Sequence, residues 1–172
     1  MEKAVRIIGI DPGLLHTGWG IVDFANGKNH FVGAGVINPN PKAPFEKRLL
    51  ELHERLRAVI TEFKPQEASV EKIFVNVNAV STLKLVQARA IALLSAAQSD
   101  VPVTEYGANQ IKKAVTGVGH ATKDQIAMMI RVMFPALEKL KADANDALAM
   151  AVCHSYMRIT AERMKRLTGE AV

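Results

Sequence analysis

Cysteine is nearly missing. Cys153 stands alone among 172 residues, so no disulfide can close within the chain and no cysteine-based metal site can form. No apolar stretch reaches the roughly 18 residues needed to span a bilayer. The N-terminus "MEKAVRIIGIDPG" has charges but no apolar h-region and no small-residue cleavage site, so a cytoplasmic protein is expected. Aromatic residues are sparse at 5%. The Gly-Lys-Ser/Thr signature of a Walker phosphate loop does not occur. Acids are fewer than bases, 17 against 22, for a formal net charge of +5. That balance favours a negatively charged partner, nucleic acid first. It also makes any acid at a special place a scarce charge on a positive background.

What is present suits one domain with a real core: 49% hydrophobic and 23% charged residues. "VRIIGID" (5–11) is apolar and β-branched and reads as a buried strand. Residues 17–38 hold two apolar stretches around Asn26-Gly27, a hairpin signal. After a loop at 38–44, Leu49, Leu52, Leu56, Val59, Ile60 and Phe63 recur at helical spacing, giving a helix over Phe45–Phe63 that Pro65 closes. "EASVEKIF" (67–74) is the next strand, and "VNVNAV" a loop. A helix then runs from near Ser81 to about Gln98. It is apolar on more than one face, which suits either a central buried helix or one shared with a second subunit. A short strand lies within 101–107, and helices start at 108, 123 and 142, the last with a basic end. Strands come first as a meander and then alternate with helices, which predicts a mixed α/β sheet of five strands with helices on its faces. There is no repeat, low-complexity segment or linker.

Certain acids fall where elements begin or end. Asp11 ends the first strand, and Glu71 lies in the fourth. Asp143 and Asp146 are three apart at the start of the last helix, so they share a face that continues as Ala147, Met150 and His154. Inward carboxylates repel each other and are costly to desolvate. Divalent cations such as Mg²⁺ or Mn²⁺ would remove both problems. Plainer explanations exist for each. Asp143 could be an N-cap with Asp146 its capping-box partner. Asp11 could start the Pro-Gly turn, and Glu71 could be an edge-strand charge. Glu105, near another strand end, is a fifth candidate that spacing does not exclude.

"GIDPGLLHTG" resembles the phosphate loop of the actin and sugar-kinase superfamily, an ATP-binding alternative. That architecture needs two such domains, and this chain has room for one. Taken together, "GIDPG…TGWG", "VEKIF", "NA…S…LKLVQARA", "YGANQIKKAVTGVGHATKDQI" and "ADANDALAMAVCH" resemble the RuvC-type Holliday junction resolvases over residues 5 to 158. These are crossover junction endodeoxyribonucleases of ribonuclease-H-like fold.

The resemblance implies the following. Residues 1–160 form the nuclease domain and 161–172 a basic tail. Asp11, Glu71, Asp143 and Asp146 are the catalytic acids and would hold two Mg²⁺ ions per subunit, with Mn²⁺ as a substitute. Lys112 and Lys123 lie near the scissile phosphate and backbone. Phe74 contacts DNA at the crossover. Lys113 and His16 join the DNA-binding set, His16 standing where relatives carry a basic residue. The helix from about 79 to 98 lies at a twofold homodimer interface, with Leu85, Arg89 and Leu93 as its candidates. The substrate is a four-way DNA junction, nicked symmetrically in recombination and repair, and the partners are RuvA and RuvB. A ribonuclease-H-like nuclease acting on another nucleic acid is the second enzyme class, and a catalytically silent junction-binding protein the third. The ordinary explanation for the lysines is a solvated helix charge, and for Phe74 a core plug.

Overall fold

Five strands form one sheet in the order β3-β2-β1-β4-β5 in the computed structural model, which describes residues 4–72 and 79–168. β1 (Val5–Asp11) is central. It pairs antiparallel with β2 (Thr17–Ala25), which pairs antiparallel with β3 (Lys28–Ile37). On its other side β1 runs parallel to β4 (Glu67–Glu71), and β4 parallel to β5 (Val103–Tyr106). The expected mixed five-stranded sheet is therefore present. Asn26 and Gly27 both have positive φ, 50° and 73°. That is the geometry of the tight hairpin turn their sequence announces.

The two faces of the sheet carry separate cores. Side chains alternate along β1, so Ile8 and Ile10 face one way and Ile7 the other. The Ile8 face is covered by α1 (Phe45–Phe63) and α2 (Ala79–Ala97). Leu52, Leu56 and Ile60 of α1 share that core with Ala88, Ala92 and Ala96 of α2. The three alanines are spaced by four, so they form one narrow stripe along α2. Leu83, Val86 and Leu94 of the same helix stay exposed. α2 is thus no central helix: one stripe is buried and an apolar remainder faces outward. The strand predicted over 67–74 ends as β4 at Glu71, and α2 opens two residues before Ser81. Phe74 lies outside the described residues.

The Ile7 face is covered by α3 (Ala108–Thr116), α4 (Lys123–Met133) and α5 (Ala142–Thr168). α5 lies directly on the sheet because three strand positions lack side chains. A Cβ on Gly9 would stand 1.9 Å from the Ala147 carbonyl oxygen, and one on Gly18 1.9 Å from that of Asp143. A Cβ on Gly20 would stand 2.6 Å from Leu148 Cα. Gly9 and Gly20 are cross-strand partners, and Gly18 is the partner of Asp11. This trough seats the first turns of α5 over the end of β1.

Candidate active site

Asp11 lies on the same face of β1 as Ile7 and Gly9, the face under α5. Glu71 ends the neighbouring parallel strand, each acid lying one residue beyond the paired positions Ile10 and Val70. Asp146 comes down from α5. These three carboxylates line one open cleft together with Lys112, Lys123, Ile111, Ile126 and Met150. Its volume is about 130 Å³. Pockets that enclose small ligands usually measure roughly 300–1,000 Å³. The cleft therefore has room for ions and waters, not for an engulfed nucleotide.

The acids act on one another. Burial first, and then the charges of Asp146, Glu71 and Asp143, push the Asp11 carboxyl up to about 7. Burial and Asp146 also raise Glu71, while Lys123 and Lys112 pull it back. The Lys123 ammonium bonds Asp146 Oδ2 at 2.7 Å, and that bond holds the lysine proton more tightly. Lys123 is the first residue of α4, whose end is set by a reciprocal Thr122–Gln125 capping box. Lys112 reaches the cleft from α3.

The capping explanation of the helical pair does not hold. α5 opens at Ala142, so Asp143 is inside the first turn and not at the cap. There the helix dipole favours an anion. Asp143 contributes to the field on Asp11, yet its side chain lines a neighbouring depression with His16, Arg48 and Lys84. The spacing of three showed a shared face; it could not show that the two acids border different hollows. Glu105 is elsewhere: it pairs with Arg89, tying β5 to α2. Arg89 therefore has a partner within its own subunit. Lys113 is exposed and does not line the cleft. His16 is exposed, its Nδ1 2.7 Å from Asn38 Oδ1. Leu85 is partly exposed, and Leu93 packs half-buried against the α1–α2 core.

The donor set suits a hard cation. Every acidic group that converges here is a carboxylate, and Asp146, Glu71 and Asp143 together raise the cost of charging Asp11. Among the described residues, no three Asp, Glu, His or Cys side chains form a metal cage by themselves. Mg²⁺ is ordinarily held by one or two carboxylates, with waters and substrate phosphate completing its shell. An open half-site of this kind fits it.

Comparison with known proteins gives a consistent answer. The family model described as "Crossover junction endodeoxyribonuclease RuvC" matches residues 7–154. The crossover junction endodeoxyribonuclease RuvC of Brucella suis is 51% identical over 170 residues, covering 97% of this chain and 98% of its own length. That of Bartonella quintana is 49% identical, covering 98% and 100%. Among solved structures, Thermus thermophilus RuvC in complex with a Holliday junction substrate superposes with a TM-score of 0.83 at 32% identity, covering 91% of this chain and 96% of that one. The yeast mitochondrial Holliday junction resolvase shares the fold at 12% identity, with a TM-score of 0.69, covering 95% and 82%.

Proposed function

Because this chain belongs to the RuvC family of crossover junction endodeoxyribonucleases, we propose that it resolves Holliday junctions in DNA recombination and repair. The convergence of Asp11, Glu71 and Asp146 in one cleft with two lysines carries this reading. The reaction is hydrolysis of a DNA phosphodiester that leaves 5′-phosphate and 3′-hydroxyl ends.

Asp11, Glu71 and Asp146, with Asp143 beside them, would hold the divalent cations, two per subunit, as Mg²⁺ or Mn²⁺. When bound, such ions supply an acidified water and neutralise charge on the leaving oxygen. The chain's own residues do the rest. The sheet fixes Asp11 and Glu71, and α5 brings Asp146 onto them, so the acids need not be gathered when DNA arrives. Lys112 and Lys123 lie where negative charge builds on the scissile phosphate, and preorganised cations there stabilise the transition state. Phe74 stacks on a base unpaired at the crossover.

A four-way junction has twofold symmetry. Two copies of the chain, joined through the exposed face of α2, would nick strands of like polarity as a pair. Lys113, His16 and the basic residues from 161 onward add phosphate contacts without sequence information. The nuclease domain is residues 1–160. RuvA and RuvB supply branch migration, and the site of action is the cytoplasm.

A synthetic four-way junction, a linear duplex and an RNA–DNA hybrid, incubated side by side with the protein and Mg²⁺, test the reading. Paired nicks in the junction alone are expected, and none in excess EDTA. Preferential cutting of the hybrid would move the chain to another ribonuclease-H-like activity. Binding of the junction without any cut would make it a junction-binding protein.

A further inference from the structure

The depression that shares Asp143 with the site has a volume of about 370 Å³. Leu14, Leu15 and Leu85 line it, with Lys84, Arg48 and His16. Three of these residues belong to the loop between β1 and β2, and hydrogen bonds hold that loop rigid. Gly13 N donates to Thr17 Oγ1 at 3.1 Å, and the fully buried Thr17 hydroxyl donates back to the Gly13 carbonyl at 2.6 Å. Arg48 Nη2 donates to the Leu14 carbonyl at 2.9 Å, and Asn38 holds His16. On this fixed loop Leu15 is 58% exposed.

A lone exposed leucine is ordinary. Here a second one, Leu85, lines the same hollow at 37% exposure, and an exposed lysine stands beside it. Leu85 is on the opposite side of α2 from the Leu83–Val86–Leu94 face proposed for the dimer, and so is not the interface contact expected of it. Two exposed apolar side chains with the cations Lys84 and Arg48, beside an acid of the cutting site, match one kind of ligand. A nucleotide offers apolar sugar and base surfaces and an anionic phosphate at a fixed distance from them.

We propose that this depression seats the nucleotide flanking the scissile phosphate. Leu15 and Leu85 lie against its sugar and base, Lys84 meets its phosphate, and Arg48 is a positioning residue that holds the Leu14–His16 loop. The inference rests on the resolvase reading. It adds that the loop after the first strand grips substrate by shape. A shape contact distinguishes bases by size and by the thymine methyl group rather than by a hydrogen-bond code. The depression therefore contributes to which junction sequences are cut fastest.

The test uses the full chain with Mg²⁺ and junctions that differ only in the nucleotides flanking the cut. Leu15→Ser should melt like the unaltered protein and bind junctions nearly as well. It should cut them on the order of tenfold more slowly, the scale of losing part of one leucine's apolar burial, and the ratio of rates between junction sequences should flatten. Leu15→Met should restore both rate and ratio. Lys84→Ala should lower the slope of log affinity against log salt by about one phosphate contact. The inference is overturned if Leu15→Ser keeps the normal rate and ratio, if it melts well below the unaltered chain, or if Lys84→Ala leaves the slope unchanged. Failure of the unaltered protein to cut any junction is a different result: it removes the resolvase reading, and this inference with it.

Discussion

Lys123 stands in the wrong place for a helix. It is the first residue of α4, where the dipole presents positive charge and a lysine is unfavourable. Its bond to Asp146 and its nearness to Asp11 and Asp143 supply the compensation. By electrostatics Lys123 also lowers the carboxyls of Asp11 and Glu71. Lys123→Ala should therefore shift the acid limb of the pH–rate profile to higher pH, because both acids would hold their protons longer. Lys113→Ala, outside the cleft, should leave that limb where it is. Asp11 allows a second prediction, with the sign worked out. In the metal-free fold its carboxyl sits at about 7, above the ordinary 3.8. Keeping it ionised opposes folding. That cost is absent below the unfolded value, grows as pH rises, and is complete above about 7. Asp11→Asn should thus melt higher than the unaltered chain in EDTA at pH 8, with the difference vanishing towards pH 4. Its cleavage should fall by more than about a hundredfold, a loss that supporting partners of metal ligands alone can reach. Melting curves over pH and single-turnover cleavage measure both. Asp11 was legible in the sequence because a charge at the end of an apolar strand needs a reason, whereas Glu71, read as lying inside a strand, was singled out by the "VEKIF" resemblance and is seen at a strand end only in the fold. The Glu105–Arg89 pair was not legible, since it joins elements that only the fold brings together.

At the scale of elements, the trough under α5 decides the site. Gly9, Gly18 and Gly20 let helix backbone touch strand backbone, and Asp143 and Asp146 ride on the turns that result. Gly18→Ala should destabilise the protein by about 1–3 kcal/mol through overpacking, several degrees of melting temperature at this chain length. Cleavage should suffer more than stability, because the helix can yield only by lifting the acids from Asp11. Gly119→Ala is the control, with nothing nearer than 3.7 Å to its added carbon. A melting scan and a cleavage assay on both variants decide this. Apolar periodicity placed α1 at its observed bounds and the hairpin turn at Asn26-Gly27, since both rest on local chemistry. The trough is not periodic. Its glycines lie on two strands and matter only once those strands pair and a distant helix is laid across them, so the sequence marks them as part of "GIDPG…TGWG" without showing what they do. Of the strand expected over 67–74, β4 is seen over Glu67–Glu71, and positions 73 and 74 lie outside the described residues.

At the scale of the whole molecule, α2 carries an apolar face that the core leaves unused among the described residues. Leu83, Val86 and Leu94 remain exposed on α2. On the proposed pairing through this face, the unaltered chain should sediment as a dimer and Leu94→Lys as a monomer of unchanged melting temperature, whereas a charge at half-buried Leu93 would disturb the α1–α2 core as well. Sedimentation at micromolar concentration, with melting on the same sample, tells these apart. The backbone contact in the trough has a consequence on a longer timescale. Where side chains set the distance between two layers, each generation of core substitutions shifts that distance, and a catalytic spacing drifts with it. Here main chain rests on main chain at the one point where spacing matters. Exchanges among isoleucine, valine and leucine in either core should therefore leave the gap between the strand acid and the helix acids unchanged, so long as three hydrogen atoms are not replaced by methyl groups.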